Sequence, residues 1–131
     1  MRAALAFALG MLLASPALAT EWVSCASQGG EASLDYLAGA REGLTIAGLN
    51  ISVGEQVWAS DVAYGPGDPV TVGQAFEDAD TVRIDALDGA MNAIVARLRL
   101  FKAEEGDSGP VYSGTLLVPG FGVWPVTCSG P

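Results

Sequence analysis

The sequence predicts a mainly β domain, a small antiparallel barrel or sandwich with one short helix near residues 87–94 and its termini joined by a disulfide. Three observations carry this. About eight short segments alternate apolar with polar residues, and turn signals separate them roughly every 8 to 12 residues. Seventeen Gly and seven Pro in 131 residues supply those turns. Cys25 and Cys128 stand near opposite ends of the chain, where an oxidising compartment would close them.

The order of elements begins with a leader. Met1-Arg2 is a short basic start, Ala3 to Ala14 is an apolar run, Ser15-Pro16 breaks it, and Ala17-Leu18-Ala19 is an A-x-A cleavage site. The run is too short for the roughly 18 to 20 residues of a membrane span. Residues 1–19 are therefore expected to be a secretory signal peptide and residues 20–131 a single exported β-rich domain, periplasmic or secreted. Removing the leader leaves 112 residues with ten more acids than bases. That length can bury a real core but has no room for a second module.

Glu21 to Ser27 reads as a first strand, followed by a turn at Gln28-Gly29-Gly30. Ser33 to Leu37 is short and half apolar, and Gly39 to Gly43 makes a hairpin loop. Leu44, Ile46, Leu49, Ile51 and Val53 then change parity at Ala47-Gly48, which predicts a β-bulge or a bend inside one strand pair. Gln56 to Ser60 gives a strand that turns Val57 and Trp58 to opposite faces. Tyr64 to Pro69 holds two prolines and two glycines, which forbids regular structure. Val70 to Val72 resumes a strand, and Gln74 to Asp80 is expected to be a helical turn or a loop.

Thr81 to Leu87 alternates as a half-buried strand should. The stretch after it supports two periods at once. Ile84, Leu87, Met91, Ile94, Leu98 and Phe101 step as one face of a helix, whereas Ile94, Ala96, Leu98 and Leu100 alternate as a strand. Gly89 weakens a helix by about 1 kcal/mol. The preferred reading is a short helix near Leu87–Ile94 and a strand from Val95 to Ala103, over one long helix. Val111 to Val118 and Phe121 to Cys128 close the chain as strands about Pro119-Gly120. Pro125 places the last strand at an edge or breaks its ladder there.

The disulfide between Cys25 and Cys128 closes a loop of roughly 100 residues, which the chain-entropy model values at about 4 to 5 kcal/mol. It also requires the first and last strands to lie side by side or to face each other across the core. The spacing is unlike the C-x-x-C of redox pairs.

Composition excludes much chemistry. With no histidine, the chain cannot host a Ser-His-Asp or Cys-His nucleophile or an imidazole metal site. Gly106-Asp107-Ser108-Gly109-Pro110 resembles the G-D-S-G-G-P around the nucleophile of chymotrypsin-like serine proteases, and Asp107-Ser108-Gly109 the D-[ST]-G of aspartic proteases. The first lacks its histidine. The second should follow a buried apolar strand, and here Lys102-Ala103-Glu104-Glu105 precedes it. A hairpin turn accounts for both. No catalytic residue and no cofactor is expected.

Glu77, Asp78, Asp80, Asp85 and Asp88 form the densest acidic segment, and Asp78, Asp80 and Asp85 are its calcium candidates. The Gly at position six and the Glu at position twelve of an EF-hand loop are missing, and solvation explains these acids more simply. Asn50-Ile51-Ser52 is a formal glycosylation sequon whose expected role is local hydrogen bonding. Arg97, Arg99 and Lys102 are the one basic cluster and read as a solvated face.

The acidic balance disfavours nucleic acid and anionic membranes, and no span is expected. It suits a cationic protein or peptide. Trp58, Tyr64, Pro66 and Asp68, around the rigid Gly-Pro loop, are the expected interaction surface, with Trp58 alternatively a core residue. The function expected from these readings is a non-enzymatic exported binding module. A leader, a small acidic β domain and one terminal disulfide together resemble, in style, the periplasmic lysozyme inhibitors, although no inhibitory motif of theirs maps onto residues here. An inhibitor of a basic cell-wall hydrolase is thus one alternative, and a small-molecule or lipid carrier with a barrel cavity is another.

Overall fold

The computed structural model of the chain describes residues 20–39 and 43–130, so the leader assigned to residues 1–19 and part of the Gly39–Gly43 loop lie outside the described residues. Nine strands follow one another: β1 (Glu21–Ser27), β2 (Ala32–Ala38), β3 (Ile46–Val53), β4 (Gln56–Ala59), β5 (Asp68–Glu77), β6 (Thr81–Asp88), β7 (Ile94–Ala103), β8 (Val111–Val118) and β9 (Gly122–Ser129). Each strand pairs with the next, and β9 returns to pair with β1, so the sheet closes into a barrel. All neighbours are antiparallel except β4 and β5. Among the described residues the only helical element is a 3-10 turn at Val62–Tyr64, and no helix is long and apolar enough to cross a membrane.

Closure explains the pattern of burial. Successive side chains on a strand point to opposite faces, and in this barrel one face is the lumen. Leu34, Leu49, Ile84, Leu98, Leu100 and Leu116 meet there, essentially out of contact with water. The disulfide sits in this wall. Cys25 on β1 lies directly opposite Cys128 on β9, so the terminal strands are side by side. On the β1 side the ladder stops at Val126, one residue short of Pro125, which has no N–H to offer there.

The parity break at Ala47-Gly48 is a β-bulge. Leu37 pairs with Gly48 while Ala38 pairs with Ile46, which leaves Ala47 as the extra residue. Val57 and Trp58 do face opposite ways, with Trp58 in the core and Val57 outside. The Gly-Pro loop then crosses to β5, which β4 meets only at Trp58 with Asp68 and Ala59 with Pro69. This is the shortest seam of the barrel. Gly67 is required in it: at φ +146° its backbone passes so close that a Cβ would stand 2.8 Å from the Val57 carbonyl oxygen.

Two expectations are corrected. Residues 87–94 hold no helix: Leu87 and Asp88 end β6, residues 89–93 turn, and Ile94 opens β7. The helical stripe is a coincidence of two strands read through their hairpin. Pairing of Thr81 to Leu87 with β7 satisfies the backbone more completely than one isolated turn of helix could. The hairpin closes with the Asp88 N–H donating to the Ala93 carbonyl at 3.0 Å and the Asn92 N–H donating to Asp88 Oδ1 at 2.8 Å. Met91 adopts φ 61°, which a right-handed helix does not allow. Gln74 to Glu77 likewise belongs to β5, bulged at Gly73.

Replacing both Cys25 and Cys128 by Ala should lower unfolding free energy by up to about 4 to 5 kcal/mol, read as a denaturation midpoint that becomes indifferent to reductant. Gly114 faces the lumen between β7 and β9, where a Cβ would run into the Arg99 carbonyl. Gly114→Ala should therefore cost about 1 to 3 kcal/mol in the same denaturation measurement, a larger loss than Gly120→Ala produces in the β8–β9 turn.

Candidate functional site

The aliphatic side chains that meet in the lumen are buried and form one core cluster. Three clefts lie on the outside and at the rims: about 540 Å³ beside β1 and β9, about 510 Å³ under the Gly-Pro loop and about 390 Å³ at the end where Lys102 and Tyr112 emerge. At the opposite end the Phe121 ring stands edge-on to Trp58, centroids 5.4 Å apart, and so caps the core.

The four residues expected to form an interaction surface are not brought together as one. Trp58 is buried in the core. Tyr64 lies outside the barrel, where its ring covers Gly48 and meets Trp22 edge-on at 5.4 Å. Leu37, between Trp22 and Gly48 in the cross-strand row, is only 9% exposed although it points outward, because this aromatic pair covers it. The Asn50 side-chain amide donates to the Tyr64 carbonyl at 2.9 Å, so the sequon residue holds the loop down. Pro66 lines the loop cleft, and Asp68 is exposed and accepts from Gln56 Nε2 at 3.1 Å.

The three calcium candidates do not converge, and no group of three potential ligands is arranged for a metal ion among the described residues. Asp78 caps its own turn, with Oδ1 accepting from the Asp80 N–H, the Thr81 N–H and the Thr81 hydroxyl at 2.7 to 2.9 Å. Those hydrogen bonds hold its carboxyl below the usual aspartate value. Asp80 lies in the same turn, whereas Asp85 stands on the outer wall.

That wall carries the feature that sequence reading missed. The basic cluster divides: Lys102 turns to the rim and pairs with Glu77 at 3.4 Å, while Arg97 and Arg99 face outward and are joined by Arg83 from β6. Arg83 and Arg99 are directly opposite, in a cross-strand row that continues to Phe76 on β5 and Thr115 on β8. The neighbouring rows hold Asp85 with Arg97 and Leu117, and Thr81 with Phe101 and Ser113. Phe76 and Phe101 are 45% and 72% exposed. Two like charges in register cost stability, and among the described residues Asp85 pairs with Arg99 but not with Arg83.

Asp85 is 14% exposed, 2.8 Å from Arg99 Nη1 and 4.0 Å from Arg97 Nε. The first contact is one of charge without hydrogen-bond alignment, since Asp85 Oδ1 is left without a hydrogen bond and Arg99 Nη1 donates instead to the Leu98 carbonyl at 2.9 Å. Arg83 has no ion-pair partner among the described residues. Between Arg83, Arg99 and Phe101 lies a hollow of about 130 Å³, the size of a side chain rather than of a drug-sized ligand. The legible signal was parity: Arg97, Arg99 and Phe101 recur every second residue, as do Arg83 and Asp85.

No family model, curated protein or solved structure matches this chain.

At the Lys102 rim, burial raises the Tyr36 phenol far above its ordinary value, with Glu77 and Tyr112 adding to the effect. The folded barrel thus keeps a proton that the unfolded chain loses near pH 10. This contribution is complete below pH 10 and is lost as the pH climbs beyond it. Thermal unfolding followed from pH 8 to 11 should show a falling midpoint for the native chain and a distinctly shallower fall for Tyr36→Phe.

Proposed function

We propose that the chain is a non-enzymatic exported interaction module that binds a macromolecular partner with the outside of its barrel. The observation that carries this reading is the division between the two faces. The lumen is filled by aliphatic side chains, whereas exposed aromatic and cationic side chains gather on one outer wall. A filled lumen weighs against a carrier, which needs an enclosed apolar space for its ligand. The absence of histidine and the lack of converging acids among the described residues weigh against an enzyme.

Export is supported by the leader pattern of residues 1–19 and by the closed Cys25–Cys128 bridge, which belongs to an oxidising compartment. The acidic excess over the rest of the chain would steer a basic partner, and a basic cell-wall hydrolase is one partner of that charge.

The chain recovered from its own extracytoplasmic compartment should carry a polypeptide partner in native mass spectra, released as salt rises to moderate ionic strength. A bound small molecule whose return raises the unfolding temperature would replace this reading with that of a carrier.

A further inference from the structure

We propose that the hollow between Arg83, Arg99 and Phe101 is a docking point for a carboxylate side chain, and that its occupant is an extended segment of a partner protein with Asp or Glu at alternate positions. This deepens the interaction-module reading and rests on it, and it assigns a partner segment opposite in sign to the one that the net charge alone would favour.

Four features lead to it. Arg83 and Arg99 are paired in register, so their charges repel until an anion is placed between them. Arg99 is already oriented, held by the Leu98 carbonyl and Asp85, while Arg83 has no ion pair among the described residues. The hollow they share with Phe101 measures about 130 Å³ and so accepts one side chain. Finally, Arg97 and Arg99 repeat along β7 at the two-residue interval of an extended chain, which matches carboxylates on one face of an extended peptide. Guanidinium groups bind carboxylates through paired, charge-assisted hydrogen bonds, and the exposed rings of Phe76 and Phe101 give apolar ground on either side.

The acidic remainder of the molecule does not prevent this contact. At physiological salt the Debye length is about 8 Å, so a carboxylate in the hollow responds mainly to charges within that reach, which are the guanidinium groups that line it and Asp85 beside Arg99.

The test is a ¹⁵N NMR titration of the oxidised full chain with the peptide acetyl-Glu-Leu-Glu-Leu-Glu-amide at about 0.15 M salt. Its controls are the same peptide with Gln at each Glu, and inorganic phosphate. Shifts should centre on Arg83, Arg99 and Phe101, and the Gln peptide should produce none. Arg83→Gln should weaken binding about tenfold without lowering the unfolding temperature, since it removes a repulsion.

Shifts centred on the β1–β9 cleft or on the Gly-Pro loop would overturn the assignment, as would unchanged affinity in Arg83→Gln. Equal binding of phosphate would make the hollow a general anion site and remove the peptide as its occupant. A concentration-dependent dimer abolished by Arg83→Gln would replace the partner with a second copy of the chain. If the wall fails these tests while a polypeptide partner still co-purifies, the module reading stands and only its face is lost.

Discussion

Closure of the sheet by the pairing of β1 with β9 is the constraint on which the rest of this molecule depends. An open sheet of this composition would expose its apolar face and leave backbone donors and acceptors unpaired along its two edges. Joining the first and last strands makes one face an interior, and the Cys25–Cys128 bridge crosses the join itself. Because the two cysteines span almost all of the domain, their bond restricts the unfolded chain as a whole while fixing the register of the terminal strands.

The weakest part of the same wall lies between β4 and β5. Only two residue pairs connect them, and below Pro69 the β5 strand has β6 as its only ladder partner among the described residues. Such an edge invites pairing with another chain. Here Pro69 lacks a donor, and the bulge at Gly73 twists the strand, both of which blunt the edge. The Gly-Pro loop is drawn back across the outside by Tyr64 on Gly48 and by Asn50.

On the outer surface charge is distributed unevenly. Three of the four described basic side chains share one patch with two exposed phenylalanines. The patch is maintained at an electrostatic cost, because Arg83 opposes Arg99 and Asp85 reaches only Arg97 and Arg99. Lys102, adjacent in sequence, is removed from it by strand parity and neutralised at the rim by Glu77.

Much of this was legible in the residues themselves. Alternation in segments such as Thr81–Leu87 and Val111–Val118, the glycines at the turns and the placement of the two cysteines determined a closed or layered β domain with a terminal staple. The parity break at Ala47-Gly48 was legible as a bulge or a bend, and the pairing of Leu37 with Gly48 and Ala38 with Ile46 made it a bulge. What only the tertiary structure decided depended on partners distant in sequence. The segment 87–94 satisfied two periods locally, and the ladder between β6 and β7 selected the hairpin. Trp58 and Tyr64 looked alike as aromatics near a loop, and barrel closure sent one inward and the other onto the outside. The wall of Arg83, Arg97 and Arg99 required the register of β6 against β7, which no single segment encodes: side-chain parity is a local property, but which row stands beside which is set by long-range pairing.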